Sequence, residues 1–224
     1  MEIHNKKIVL ITGAGSGLGE ELARCYCEEG KHIVLVGRNK EKLRNVAEII
    51  NKLGGSADCV TCDISNYDSV KSLVEYISGK YKSIDYLINN AGIGYFGPLE
   101  KITIEEVNAM LDVNVKGTII VTQGLIPYVK DRILNIISTA GLRGKINESV
   151  YAASKYAIRG FTESLQKEFA DKNLKITAVY MGGMDTPFWE NSTHIKDKSR
   201  LRSPESVARE IKAKDDGREE IHIE

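Results

Sequence analysis

The 224-residue sequence predicts a doubly wound α/β domain, and three observations carry that prediction. Extended apolar runs alternate with helical segments along the chain. The runs are continuous rather than alternating in polarity, as in KKIVLI (6–11) and HIVLVG (32–37). Both faces of each strand must then be covered, which is the mark of a parallel sheet between helices. No repeat, low-complexity tract or Pro/Gly-rich linker divides the chain, so residues 1–224 read as one domain. Right-handed crossovers give a single seven-stranded, mainly parallel sheet with helices on both faces.

The elements follow in order. Residues 6–11 are the first strand, and 17–29 a helix stopped by Gly30. Residues 32–37 are a strand, and 40–53 a helix closed by Gly54 and Gly55. A strand at 57–62, a helix at 66–81 and a strand at 85–90 (DYLINN) come next. Residues 104–126 read as one long helix and 132–138 (RILNIIS) as a strand. Then come a helix at 150–170 and a strand at 175–181 (KITAVYM). Residues 183–203 lack periodicity and read as a substrate loop. A short helix (204–213) and a last strand (220–223) close the chain. In such folds ligands bind at the carboxyl ends of the strands, so each motif is judged by whether it falls there.

Composition narrows the function. Apolar content of 42% and charged content of 28% belong to a folded globular chain. The formal net charge is zero, which argues against a nucleic-acid binder. The longest apolar run is four residues, too short for a membrane span or a signal-peptide core. The expected location is therefore the cytoplasm. Cys25 and Cys27 stand two apart on a helix and Cys59 and Cys62 three apart in an extended segment, so neither pair shares a face. Buried thiols in a reducing compartment are expected over a metal or redox site.

Three constellations carry chemistry. Thr12, Gly13, Ala14, Gly15, Ser16, Gly17, Leu18 and Gly19 follow the first strand and open the first helix. Glycines let the backbone approach a pyrophosphate, and the helix offers it unpaired N–H groups. A Gly-Lys-Ser/Thr ending of the kinase type is absent, and the alternative is a ligand-free turn. The second strand ends at Gly37, Arg38 and Asn39, where a carboxylate would stand to chelate ribose hydroxyls. A guanidinium there suits a 2′-phosphate, so NADP(H) is expected over NAD(H), against the alternative of a solvated loop charge. Third, Tyr151 and Lys155 lie one turn apart on one helix face, so the ammonium can stabilise the phenolate. Ser138, at the carboxyl end of the fifth strand, offers a hydroxyl to a substrate oxygen.

With Asp63 in CDIS, NNAG (89–92) and Asn114 added, these residues resemble the short-chain dehydrogenase/reductase family in its small single-domain Rossmann-fold branch. The likeness runs from residue 6 to about 186. It implies that Tyr151 is the general acid–base residue and that Lys155 lowers its pKa and holds the nicotinamide ribose. It also implies that Ser138 polarises the substrate oxygen and that Asn114 holds a relay water, a distorted helical turn there accounting for a residue that helices disfavour. Asp63 would accept from the adenine amino group, with Ile64 beside the ring, the bland alternative being a cap-region residue. Asn90, Ala91 and Gly92 would approach the adenosine ribose, while Gly182 and Thr186 would flank the nicotinamide. No metal is implied. One departure is Met181-Gly182-Gly183 where the family usually has Pro-Gly, which frees φ at that turn.

Substrate selectivity falls to 93–98, 141–149 and 183–203, which offer Tyr95, Phe96, Leu142, Met184, Phe188 and Trp189. They suit a partly apolar ketone, aldehyde or acyl chain, of the 3-oxoacyl, pteridine or diketone type. Little chain follows the last strand to cover that substrate. The resemblance further implies a homodimer or homotetramer through helices 104–126 and 150–170, where Ala152, Ala153, Ala157 and Gly160 permit close approach. Competing expectations are a lyase or epimerase on the same fold, or a non-catalytic nucleotide binder.

Overall fold

The computed structural model describes residues 6–27, 30–190, 194 and 197–223. Among them, seven strands form one sheet: β1 (Ile8–Thr12), β2 (His32–Gly37), β3 (Ser56–Thr61), β4 (Ile84–Asn89), β5 (Val129–Ile136), β6 (Lys175–Met181) and β7 (Glu220–Ile223). Their order is β3-β2-β1-β4-β5-β6-β7 and every pairing is parallel. The order reverses at β1 and β4, so the crevice beside their carboxyl ends is where a ligand fits.

Burial follows the apolar runs. Every residue of β1 is buried. Val9 and Ile11 pack on one face with Leu22 of α1 (Gly17–Cys27), Leu43 of α2 (Lys40–Lys52) and Ile211 of α7 (Pro204–Lys214). Leu10 packs on the other with Leu73 of α3 (Tyr67–Lys80), Val121 of α5 (Thr118–Leu125) and Leu165 of α6 (Ser149–Glu168). A strand with period-two side chains and both faces apolar can only sit between two helical layers.

Boundaries move by one to three residues from those read in the sequence, and two shifts matter. The helix expected over 104–126 is interrupted: α4 (Ile104–Met110) passes into a π-helical turn at Leu111–Gly117 before α5 begins. The strand expected to reach residue 138 ends at Ile136, leaving Ser138 in the loop. Two residues of the helix expected at 17–29, 28 and 29, lie outside the described residues, as do 191–193, 195 and 196 of the substrate loop. Asn66, not Asp63, caps α3, its side chain accepting from the Ser69 N–H at 2.9 Å.

A buried amide ladder crosses the layers. Asn89 Nδ2 donates to Thr122 Oγ1 (2.9 Å) and to Asn135 Oδ1 (2.8 Å), and Asn135 Nδ2 donates to Thr162 Oγ1 (2.9 Å). It ties β4 and β5 to α5 and α6 directly below the rim.

Candidate active site

The Gly-rich turn is built by backbone geometry. Gly13 and Gly17 hold φ of 67° and 57°, a region other residues enter only with strain. A Cβ on Gly13 would lie 2.8 Å from Ala91 Cα, and one on Gly17 3.2 Å from the Thr186 side chain. The turn is thus pressed against the ends of β4 and β6. Thr12 fastens it: its buried Oγ1 accepts from the Asn90 and Ala91 N–H groups at 3.1 Å each, and Asn90 Nδ2 donates to Thr12 O at 2.9 Å.

Beside this turn opens a cavity of about 790 Å³. Gly13, Gly15, Ser16, Gly17, Leu18 and Gly19 line one end, under the N-terminus of α1. Gly37, Arg38, Asn39, Asp63 and Ile64 line the flank next to it. Asn90, Ala91 and Gly92 form the floor, and Ser138, Tyr151, Lys155, Gly182 and Thr186 the far end. Thr12 and Asn114 are the exceptions among the residues given catalytic or coenzyme-binding roles from the sequence. Both stand behind the wall, buried at 2% exposure, and act on the site through neighbours.

Several side chains are already engaged. Asn39 Oδ1 caps α2, accepting from the Glu41 and Lys42 N–H groups at 3.0 Å, so its amide oxygen is committed to the helix. Asp63 Oδ1 accepts from the Ser65 hydroxyl (2.7 Å) and Ser65 N–H (3.0 Å), which hold its carboxyl below its ordinary value. Asn114 Oδ1 accepts from Ile93 N–H, and its Nδ2 donates to Ile93 O (2.8 Å each) and to Ser154 Oγ (3.0 Å). Ser154 in turn donates to Tyr151 O at 2.6 Å. The π turn brings the Asn114 amide to this position. That amide ties the 93–98 segment to α6.

At the far end Ser138 Oγ accepts from Ala140 N–H at 3.1 Å and stands beside the Tyr151 phenol on the cavity wall. Ser138 carries φ 139° and ψ 155°, a glycine-only region, as strained backbone at functional sites often does. Lys155 Nζ lies 5.7 Å from the Tyr151 ring centroid and donates to Ile136 O at 3.2 Å. Burial pushes the Tyr151 phenol up, and the Ser138 hydrogen bond opposes that rise. Burial also brings the Lys155 ammonium down to about 8. The phenol therefore keeps its proton at neutral pH, because desolvation disfavours its charged form.

The substrate end is aromatic. Phe96 and Phe188 lie 5.3 and 5.9 Å from the Tyr151 ring, and Phe96 stacks on Trp189 at 4.9 Å. Tyr95 and Met184 also line the cavity, whereas Leu142 packs with Ile137 and Ile158 in a separate core cluster. The sequence reading missed Lys42, which α2 brings to the cavity wall beside Arg38, and Glu148, three residues before Tyr151. The signal for Lys42 was there: one helical turn past the cap, it faces the same side as the Gly15 turn.

The model of the short chain dehydrogenase family matches residues 7–197. This chain belongs to the short-chain dehydrogenase family. An uncharacterised oxidoreductase of Staphylococcus aureus strain MW2 is 33% identical over 215 residues, covering 94% of this chain and 91% of the relative. A 3-ketoacyl-(acyl-carrier-protein) reductase from Brucella melitensis, solved with NADH, superposes with a TM-score of 0.87 at 30% identity, over 97% of this chain and 96% of that one. A variant of actinorhodin polyketide ketoreductase, solved with NADPH, gives 0.86 at 27% identity over 95% and 91%.

The cavity fits the dinucleotide that short-chain dehydrogenases use. A Cβ on Gly182 would meet open space, and Gly17, Leu18 and Gly19 at the N-terminus of α1 line the cavity, where helix N–H groups suit a phosphate. Among the described residues no cluster of three or more His, Cys, Asp or Glu side chains could hold a metal ion, and no helix is long and apolar enough to cross a membrane. Burial raises the Cys59 and Cys62 thiols, so neither is a thiolate at neutral pH.

Proposed function

We propose that this protein is an NADPH-dependent carbonyl reductase acting on a partly apolar ketone or aldehyde. The observation that carries the reading is convergence: the phosphate turn, Arg38 with Lys42, and the Ser138–Tyr151–Lys155 group all open into one cavity. Arg38 and Lys42 would hold a 2′-phosphate, Asp63 the adenine amino group, and Lys155 the ribose hydroxyls near the reacting end. A bound dihydronicotinamide would supply the hydride.

Everything else is done by the chain. Ser138 donates to the substrate oxygen and polarises the carbonyl. Tyr151, protonated at neutral pH, hands its proton to that oxygen as charge develops there. Lys155, below its ordinary pKa yet still charged at pH 7, stabilises the phenolate left behind and helps its reprotonation. Phe96, Phe188 and Trp189 exclude water from the reacting end.

The test is a carbonyl panel read by NADPH consumption. Turnover of apolar ketones that vanishes in Tyr151→Phe supports the reading; unchanged turnover in that variant rejects it. Arg38→Ala is expected to weaken NADPH about 10–100-fold while leaving NADH little changed, since a hydrogen bond to a charged group contributes ~1.5–3 kcal/mol. Equal loss for both coenzymes in fluorescence titration would reject the NADP(H) assignment.

We also infer a homo-oligomer. Ala153, Tyr156, Ala157 and Gly160 form an exposed stripe on α6, with open space above Gly160. Ala152, grouped with them in the sequence, instead packs inward beside Tyr151. A monomer by light scattering rejects this.

A further inference from the structure

One buried carboxylate in the cavity has no part in the proton transfer. Glu148 is 6% exposed, lines the cavity and precedes Tyr151 by three residues. A glutamate before a helix is ordinarily explained by capping. Glu148 does occupy the N-cap position of α6, but its side chain makes no cap hydrogen bond. Glu106, another acid on this wall, is engaged with Thr103 N–H in a capping box. Glu148 is also the carboxylate whose charge reaches Tyr151, raising the phenol.

The chamber in front of it is walled by Phe96, Phe188 and Trp189, whose faces attract cations and stack on flat rings. The chain itself displays the ligand chemistry. His194 Nε2 lies 3.0 Å from Glu148 Oε1, while its ring stacks on Phe96 at 4.9 Å and 15°. A planar ring carrying a nitrogen is thus held by the aromatic wall and the carboxylate together. A buried carboxylate is costly unless a donor or cation meets it.

Resting on the reductase reading of this cavity, we propose that Glu148 determines substrate specificity, receiving an ammonium or N–H group of a flat, largely apolar carbonyl substrate. Glu148 precedes Tyr151 by three residues, so this group stands in the same chamber as the carbonyl that Tyr151 serves.

The test compares two matched ketones, para-acetylbenzylamine, charged at neutral pH, and para-methylacetophenone, neutral. The wild-type protein should favour the charged ketone in kcat/KM by about tenfold or more. Glu148→Gln should bring that ratio toward one, whereas His194→Ala should keep it. A wild-type ratio near one, or a ratio unchanged in Glu148→Gln, overturns the proposal. So does a ratio that His194→Ala collapses equally, because the pair is then only a fastening of the loop. If the wild type reduces neither ketone, the reductase reading fails by itself. Calorimetric titration of para-acetylbenzylamine then decides the site: binding lost in Glu148→Gln sustains it, and binding absent or unaffected overturns it.

Discussion

Tyr151 and Lys155 have their pKa values moved in opposite directions by the same pressure. Both are buried at 7% and 6% exposure, and burial favours the neutral form of each. Tyr151→Phe keeps the packing and removes the proposed proton donor, so kcat should fall about 10²–10⁴-fold, the usual worth of general acid catalysis, with melting temperature little changed. Lys155 should reveal a cost. Its pKa falls from 10.5 to about 8, so below pH 8 folding carries a buried ammonium, and stability rises as pH climbs between those values. Lys155→Met should therefore be inactive yet more stable at pH 7, by on the order of 1–3 kcal/mol less the lost bond to Ile136 O. A lower urea midpoint for that variant would contradict this. At this scale the sequence was legible where residue type and spacing suffice, as for Tyr151, Lys155 and the glycines. Glu148 was not, because only tertiary approach brings it to the cavity.

Among the elements, the glycine turn and the interrupted helix do most to shape the site. Gly17 combines φ 57° with a Thr186 side chain 3.2 Å from any added Cβ. Gly17→Ala should cost about 1–2 kcal/mol from the left-handed backbone alone and should weaken NADPH binding further. Chemical denaturation with coenzyme titration measures both. The turn was legible from its glycines and its place between strand and helix. The π turn was only half legible. Asn114 in a helix signalled a distortion there, but its bonds to Ile93 and Ser154 depend on where the 93–98 segment runs. Ser138 was placed at a strand end because the apolar pairs Ile133-Leu134 and Ile136-Ile137 carry the run up to it. The ladder stops at Ile136, and the strained Ser138 backbone follows.

Across the whole molecule the sheet separates the reacting rim from a second polar cluster at its other end. There His32, 1% exposed, meets Ser56 (3.0 Å), Asp58 (3.2 Å) and Tyr81 (3.1 Å), with Lys80 bonded to Asp58 at 2.5 Å. Burial lowers the His32 pKa below 6.5, and the Asp58 charge only partly opposes it. The unfolded chain thus binds the proton more readily. Stability is full above pH 6.5 and declines as the pH falls through that value. Thermal melts between pH 8 and pH 5 (~3 pH units spanning the histidine range) should show this decline, and His32→Gln should flatten it. A decline of the same size in that variant would place the titration elsewhere. The parallel, doubly covered sheet was legible from continuous apolar runs, because such strands have no other way to hide both faces. This cluster was not, since His32, Asp58 and Tyr81 lie far apart in sequence.

The π turn between α4 and α5 also splits one rod into two independently keyed halves. Val121 and Leu125 are locked into the sheet core, while Met110 packs with Tyr151 and Ala152. Substitutions ahead of the turn can reshape the reaction chamber without re-registering the core, so diversity among descendants of this chain should gather upstream of residue 111. Removing a single residue from the turn would swing that upstream half about 100° around its axis, emptying the chamber while leaving the sheet whole.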